Sequence, residues 1–149
     1  MPVHDLRNDC LGAKKPARVA AYGMPSSPAQ AMQPTRAAQL RTVLDRTVAA
    51  AFGVDPTLMG QSSRGRAEVA RARQVAMYLA HVMCGMSLTN VGELYERDRT
   101  TVAHACQIVE DLREATQFDQ AIQHLEFALA IMLQASELRD MTHAARRLM

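Results

Sequence analysis

From Leu40 to Leu129, apolar residues recur every three or four positions, the spacing of one face of an α-helix. Leu40, Val43, Leu44, Thr47, Val48 and Ala51 make the first stripe. Gly53 follows where a helix C-terminus favours a left-handed residue. In "VDPTLMG", Asp55 reads as the N-cap and Pro56 as the first position of a short helix. "QSSRGR" is a polar loop, broken at Gly65. Val69, Ala72, Val75, Ala76, Leu79, Val82 and Met83 predict a helix from about Glu68 to Cys84, stopped by Gly85. Ser87 is placed to cap a short helix with Leu88, Val91 and Leu94 inward. Val102, Ala105, Cys106, Val109 and Leu112 form the next stripe. Ile122, Leu125, Leu129 and Met132, broadened by Ala128 and Ile131, predict a long last helix with a break before Thr142.

No stretch has strand period with turn signals at both ends, and no internal repeat is found. The fold class expected is all-α: a compact domain of about six helices. Residues 1–35 hold five of the six prolines and have no helical period, which predicts a flexible N-terminal arm. The division is then an arm over 1–35, a domain over 36–133 and a helical tail over 134–149. Leu138, Met141 and Ala145 share one side of that tail. Two readings of it stand: a homodimer contact, or a frayed amphipathic end.

Composition sharpens this picture in a few places. Hydrophobic residues make up 48% of the chain but aromatics only 4%, with no Trp, so Ala, Met, Leu and Val must do the packing. That favours helices over strands. The net charge of +2 says nothing about partners. Its distribution says more: between Arg64 and Arg73 stand four arginines against Glu68 alone, a local patch able to attract phosphates. Cys10, Cys84 and Cys106 are odd in number and lack metal spacing; Cys84 and Cys106 read as small buried hydrophobes in a reducing compartment. No apolar run reaches membrane-spanning length, and the N-terminus lacks a signal-peptide core. The expected location is the cytoplasm. The five histidines are scattered, and no Cys–His or Ser–His frame appears. No catalysis, metal or cofactor is therefore expected.

The stretch "ERDRTTVAHAC" joins the fourth and fifth predicted helices by a sharp corner, and the second is longer and polar on one side. Two such helices describe a helix-turn-helix, whose second helix enters the DNA major groove. Arg97, Arg99, Thr100 and Thr101 at that helix start are suited to phosphates and base edges. Asp98 reads as the N-cap, its side chain accepting from the backbone near Thr101. His104, one turn on, is placed equally well to touch DNA or to bond a neighbouring helix. Gln107 reaches either a phosphate or water. The same geometry also occurs in modules that bind only protein.

Taken in order, "ARARQVAMYLA", "SLTNVG" and "RDRTTVAHAC" resemble the C-terminal DNA-binding domain of the bacterial chromosomal replication initiator family, DnaA. "VLDRTVAAAFGVDPTLMGQSSR" is similar to that family's leading helix and basic loop, so the likeness covers about residues 38–133. The resemblance implies a helical domain that binds double-stranded DNA. The corner from Asp98 to Thr101 would face the major groove, and the basic loop the minor groove. Arg71 and Arg73 match family arginines and would contact phosphate or base.

This chain also departs from the pattern. Arg99 stands where the family usually has His, which implies a different base preference, since arginine favours guanine acceptors. The turn before Arg97 reads one residue short, with Glu96 where glycine is common, which implies a tilted recognition helix. Gly65 falls near the family's minor-groove arginine, so Arg64 or Arg66 would substitute. Gln107 and Ile108 replace positions often basic, implying weaker phosphate affinity. No phosphate-binding G-x-x-x-x-G-K-[ST] loop is present, and a 35-residue arm is too short for an ATPase fold. Hence no nucleotide partner is expected, and no membrane partner. Three functions follow: a transcriptional regulator, a protein that occupies initiator boxes and tempers replication, or a protein-interaction module that has lost DNA binding.

Overall fold

A computed structural model describes residues 34–61 and 66–148. The predicted arm lies outside the described residues apart from its last two positions. The elements are α1 (Pro34–Phe52), a 3-10 turn (Pro56–Gly60), α2 (Ala67–Val82), α3 (Leu88–Tyr95), α4 (Arg99–Leu112) and α5 (Thr116–Arg147). Among the described residues there is no strand, and the fold is all-α as the periodicity predicts.

The termini of these elements follow from local chemistry. Phe52 gives way to Gly53 at φ 63°, and the N–H groups of Gly53 and Val54 return to the carbonyls of Ala50 and Ala49. This paired closure needs a left-handed residue, which glycine adopts without a Cβ clash. Asp55 caps the 3-10 turn, its Oδ1 accepting from the Thr57 N–H at 2.8 Å. Ser87 caps α3 by accepting from the Asn90 N–H at 3.1 Å, as its position implied. The short α2–α3 connection is held by His81, whose Nδ1 lies 2.6 Å from the Met86 carbonyl. A carbonyl only accepts, so Nδ1 carries the proton.

The core is one cluster. Leu44, Val48 and Ala49 of α1 meet Val75, Ala76 and Leu79 of α2, and the cluster continues through Val91, Val102, Val109, Ile122 and Leu129. Helix α2 lies at the centre, packed by α1 and α4 as well as by α3 and the 3-10 turn. Helix α5 packs on α1.

Four inward assignments are corrected. Val82, Ala51, Ile131 and Met132 are exposed. Val82 is the last residue of α2, and the core contact passes instead to Met83, Cys84 and Met86. Ile131 lies off the strip of α5 that runs through Ile122, Leu125 and Leu129, whereas Met132 touches α1, its sulfur 3.4 Å from the Thr47 hydroxyl, with nearly half its surface left in water. The expected break before Thr142 is absent: α5 is one continuous helix through both that position and the 133/134 boundary.

Candidate nucleic-acid interface

Helices α3 and α4 are joined by Glu96, Arg97 and Asp98 alone. The corner is this sharp because two backbones touch. The Arg97 N–H donates to the Gly92 carbonyl at 2.8 Å. A Cβ at Gly92 would lie 2.5 Å from the Arg97 carbonyl oxygen, inside any real contact. Only glycine lets the turn fold back onto α3 there. Glu96 takes φ 54°, ψ 48°, and is the one non-glycine residue at positive φ among the described residues. Glycine is the residue that conformation suits, so Glu96 stands there under strain.

Beyond the corner, α4 divides cleanly. Val102, Ala105, Cys106 and Val109 are buried; Arg99, Thr100, Thr101, His104 and Gln107 are exposed. Thr100, His104 and Gln107 follow one another at four and three residues, so they share a face. The side chains of Arg99, Thr100, Thr101 and His104 make no hydrogen bond or ion pair among the described residues. Gln107 donates to Asp111 one turn on, at 2.8 Å.

Asp98 requires a correction. It occupies the N-cap position, with φ −65° and ψ 147°, and its carbonyl accepts from Val102, but its carboxylate makes no cap hydrogen bond. The carboxylate stays in water instead. The first intrahelical bond of α4 starts at Val102, so the N–H groups of Arg99, Thr100 and Thr101 point outward without an intrahelical acceptor. Such a helix start favours an anion.

The other sequence-selected arginines separate into two kinds. Arg66 is exposed just before α2. Arg64 lies outside the described residues. Arg71 is half-buried and donates to Gln74 at 3.1 Å. Arg97 is half-buried at the corner. Arg73 is a strut: its Nη2 donates to the Leu58 carbonyl at 2.6 Å and its Nε to the Met59 carbonyl at 3.1 Å. It pins the 3-10 turn to α2. Burial, and then the nearby charge of Arg97, lower its pKa from the ordinary value.

Two supporting clusters were not found in the sequence. In the first, Arg41 of α1 donates to the Leu94 carbonyl at 2.8 Å and lies 5.0 Å from the Tyr95 ring centre. Tyr95 donates to Asp45 at 3.2 Å, and Asp45 accepts from Arg41 at 3.5 Å. The C-terminal end of α3 is thereby clamped to α1, which fixes where the corner begins. Burial raises the Asp45 carboxyl above its usual range, against the pull of Arg41 and Tyr95. The second centres on Arg113, just past α4. It donates to Asp119 at 2.6 Å and to Glu126 and Tyr78 at 2.9 Å each. Glu126 is fully buried, and its Oε2 has no partner. The signals were present: Arg41 and Asp45 stand one turn apart, and Glu126 falls at core spacing between Ile122 and Leu129. Neither shows its partner without the fold.

Among the described residues, no group of His, Cys, Asp and Glu could hold a metal ion, and no helix is long and apolar enough to cross a membrane. Cys84 and Cys106 are free thiols, and burial pushes the Cys84 thiol up to about 11.

The pair α3–α4, with its three-residue turn and outward polar face, defines a helix-turn-helix domain. Residues 42–109 match the family described as bacterial DnaA protein helix-turn-helix. The chain is 41% identical over 73 residues to the chromosomal replication initiator protein DnaA of Laribacter hongkongensis, which covers 48% of this chain and 15% of that protein. It is 38% identical over 91 residues to DnaA of Chromobacterium violaceum, covering 60% of this chain and 19% of the relative. DnaA of Rickettsia canadensis is 40% identical over 72 residues, 48% of this chain and 15% of the relative. The chain thus spans less than a fifth of the length of these curated relatives.

Proposed function

We propose that this chain binds double-stranded DNA sequence-specifically through α4, and that it acts as a transcriptional regulator. One observation carries the reading: Arg99, Thr100, Thr101 and His104 stand outward and unengaged on a helix whose underside is buried. Arg99 is assigned to a guanine edge, Thr100, Thr101 and His104 to the groove wall and adjacent bases. The outward N–H groups at the start of α4, with Arg97, take phosphate. Arg66, with Arg64, is assigned to the minor groove, and Arg71 to the backbone. Arg73 positions the 3-10 turn rather than reaching for DNA.

The test is a mobility shift on duplex selected from a random pool, repeated across salt concentrations. With n phosphate contacts, log K should fall against log salt with a slope near −0.9n. Arg99→Ala should cost about 1–3 kcal/mol and relax preference at one position. Absence of binding at low salt would overturn the reading and leave a protein-interaction module. A second reading has its own support, since the relatives are replication initiators. In that case the chain would occupy initiator boxes and temper replication. A chromosome-wide binding map separates the two: sites clustered at the origin support the second, dispersed promoter sites the first.

A further inference from the structure

Helix α5 has two apolar faces. Ile122, Leu125 and Leu129 point into the core. On the opposite side Phe127, Ile131, Leu138 and Met141 are exposed by 53%, 52%, 63% and 69%, and Leu148, the C-cap residue just past the helix, by 90%. With Gln134 and Ala145 between them, these positions are spaced 4, 3, 4, 3, 4, 3. That is the a/d repeat of a coiled coil, sustained over three heptads. The rise of a helix makes this seam about 30 Å long. Nothing among the described residues covers it. Monomeric proteins rarely leave more than a few hundred Å² of continuous apolar surface to water. Five large side chains exposed by half or more approach the roughly 800 Å² per partner of a stable interface.

The chemistry of the seam suits a copy of itself. A heptad repeat calls for a second helix with the same repeat. The flanking e and g positions are Ala128, Ala130, Ala135, Glu137, Thr142 and Ala144. Four are alanines, which allow close approach, and only Glu137 is charged. Glu137 already lies 3.8 Å from Arg36 of the same chain. An identical copy therefore meets almost no like-charge repulsion along the seam.

We propose that two copies of this chain associate along α5 through the seam from Phe127 to Leu148, forming a two-fold dimer that presents two α4 helices. The dimer is independent of the DNA-binding reading. Size-exclusion chromatography with light scattering on the full chain should give twice the 16.4 kDa of one chain. Leu138→Glu combined with Met141→Glu should return the mass to one chain with unchanged helical circular dichroism. Arg139→Glu, off the seam, should leave the dimer intact. A single-chain mass for the wild type at every concentration overturns the proposal, as does a double variant that stays dimeric. Binding of the wild-type monomer to lipid vesicles would assign the seam to a membrane surface and overturn it equally. Loss of mass without loss of single-site duplex binding would leave the DNA reading untouched.

Discussion

Gly92→Ala inverts an ordinary expectation. In a helix interior, alanine is favoured over glycine by about 1 kcal/mol. Gly92 lies within α3, so propensity alone predicts stabilisation. The structure predicts the opposite sign. The new Cβ would lie 2.5 Å from the Arg97 carbonyl oxygen and 3.5 Å from the Arg99 nitrogen. Both are backbone atoms, so no side chain can swing away. The turn must open, and the 2.8 Å bond from Arg97 to the Gly92 carbonyl lengthens with it. Overpacking costs about 1–3 kcal/mol and the bond about 0.5–1.5 kcal/mol. Against the helical gain of about 1 kcal/mol, the expected net loss is about 0.5–3.5 kcal/mol. Urea unfolding followed by far-ultraviolet circular dichroism measures it directly. Gly60→Ala is the control, because its Cβ would meet only the Arg41 guanidinium at 3.7 Å, an ordinary contact. If Gly92→Ala proved as stable as the wild type or more so, the close backbone approach at the corner would be refuted. Duplex affinity should fall as well, even where the variant is fully folded, because the displaced turn sets the position of Arg99 and Thr100 at the start of α4.

Glu96→Gly should stabilise the chain by up to about 1 kcal/mol, since it relieves a left-handed non-glycine residue; a lowered melting temperature would contradict this. Arg73→Ala should lower stability by about 1–3 kcal/mol through loss of two charge-assisted bonds to the Leu58 and Met59 carbonyls, whereas Arg99→Ala should leave melting unchanged and weaken DNA binding; the reverse pattern would exchange their roles. Burial raises the Glu126 carboxyl above its ordinary 4.5, outweighing the lowering pull of Arg113. The folded chain therefore keeps that proton to higher pH than the unfolded chain does. Between the two values the unfolded state binds fewer protons, so the contribution of Glu126 to stability falls as pH rises. Relative to Glu126→Gln, the wild type should lose stability as pH is raised from about 4.5; urea titrations across pH that showed the difference growing in the wild type's favour would contradict it.

The amino-acid sequence by itself determined the helices, their order and the exposed corner. Apolar spacing is a local property, and so are the caps at Asp55 and Ser87 and the stop at Gly53. The polar face of α4 was legible for the same reason: a helix with one greasy side must show the other. Only the tertiary structure decided what depends on distance across the chain. It took Arg73 out of the exposed basic patch and made it a strut, because the Leu58 and Met59 carbonyls come within reach only after α2 packs on the 3-10 turn. It joined Arg41 and Asp45 to Tyr95, some 50 residues away, and gave the buried Glu126 its partner in Arg113. It also showed why position 92 is glycine, through a contact with backbone five residues further on. Periodicity marks which side of a helix is apolar but not which neighbour covers it, so α5 read as a single stripe when it has two, and only one of them is buried.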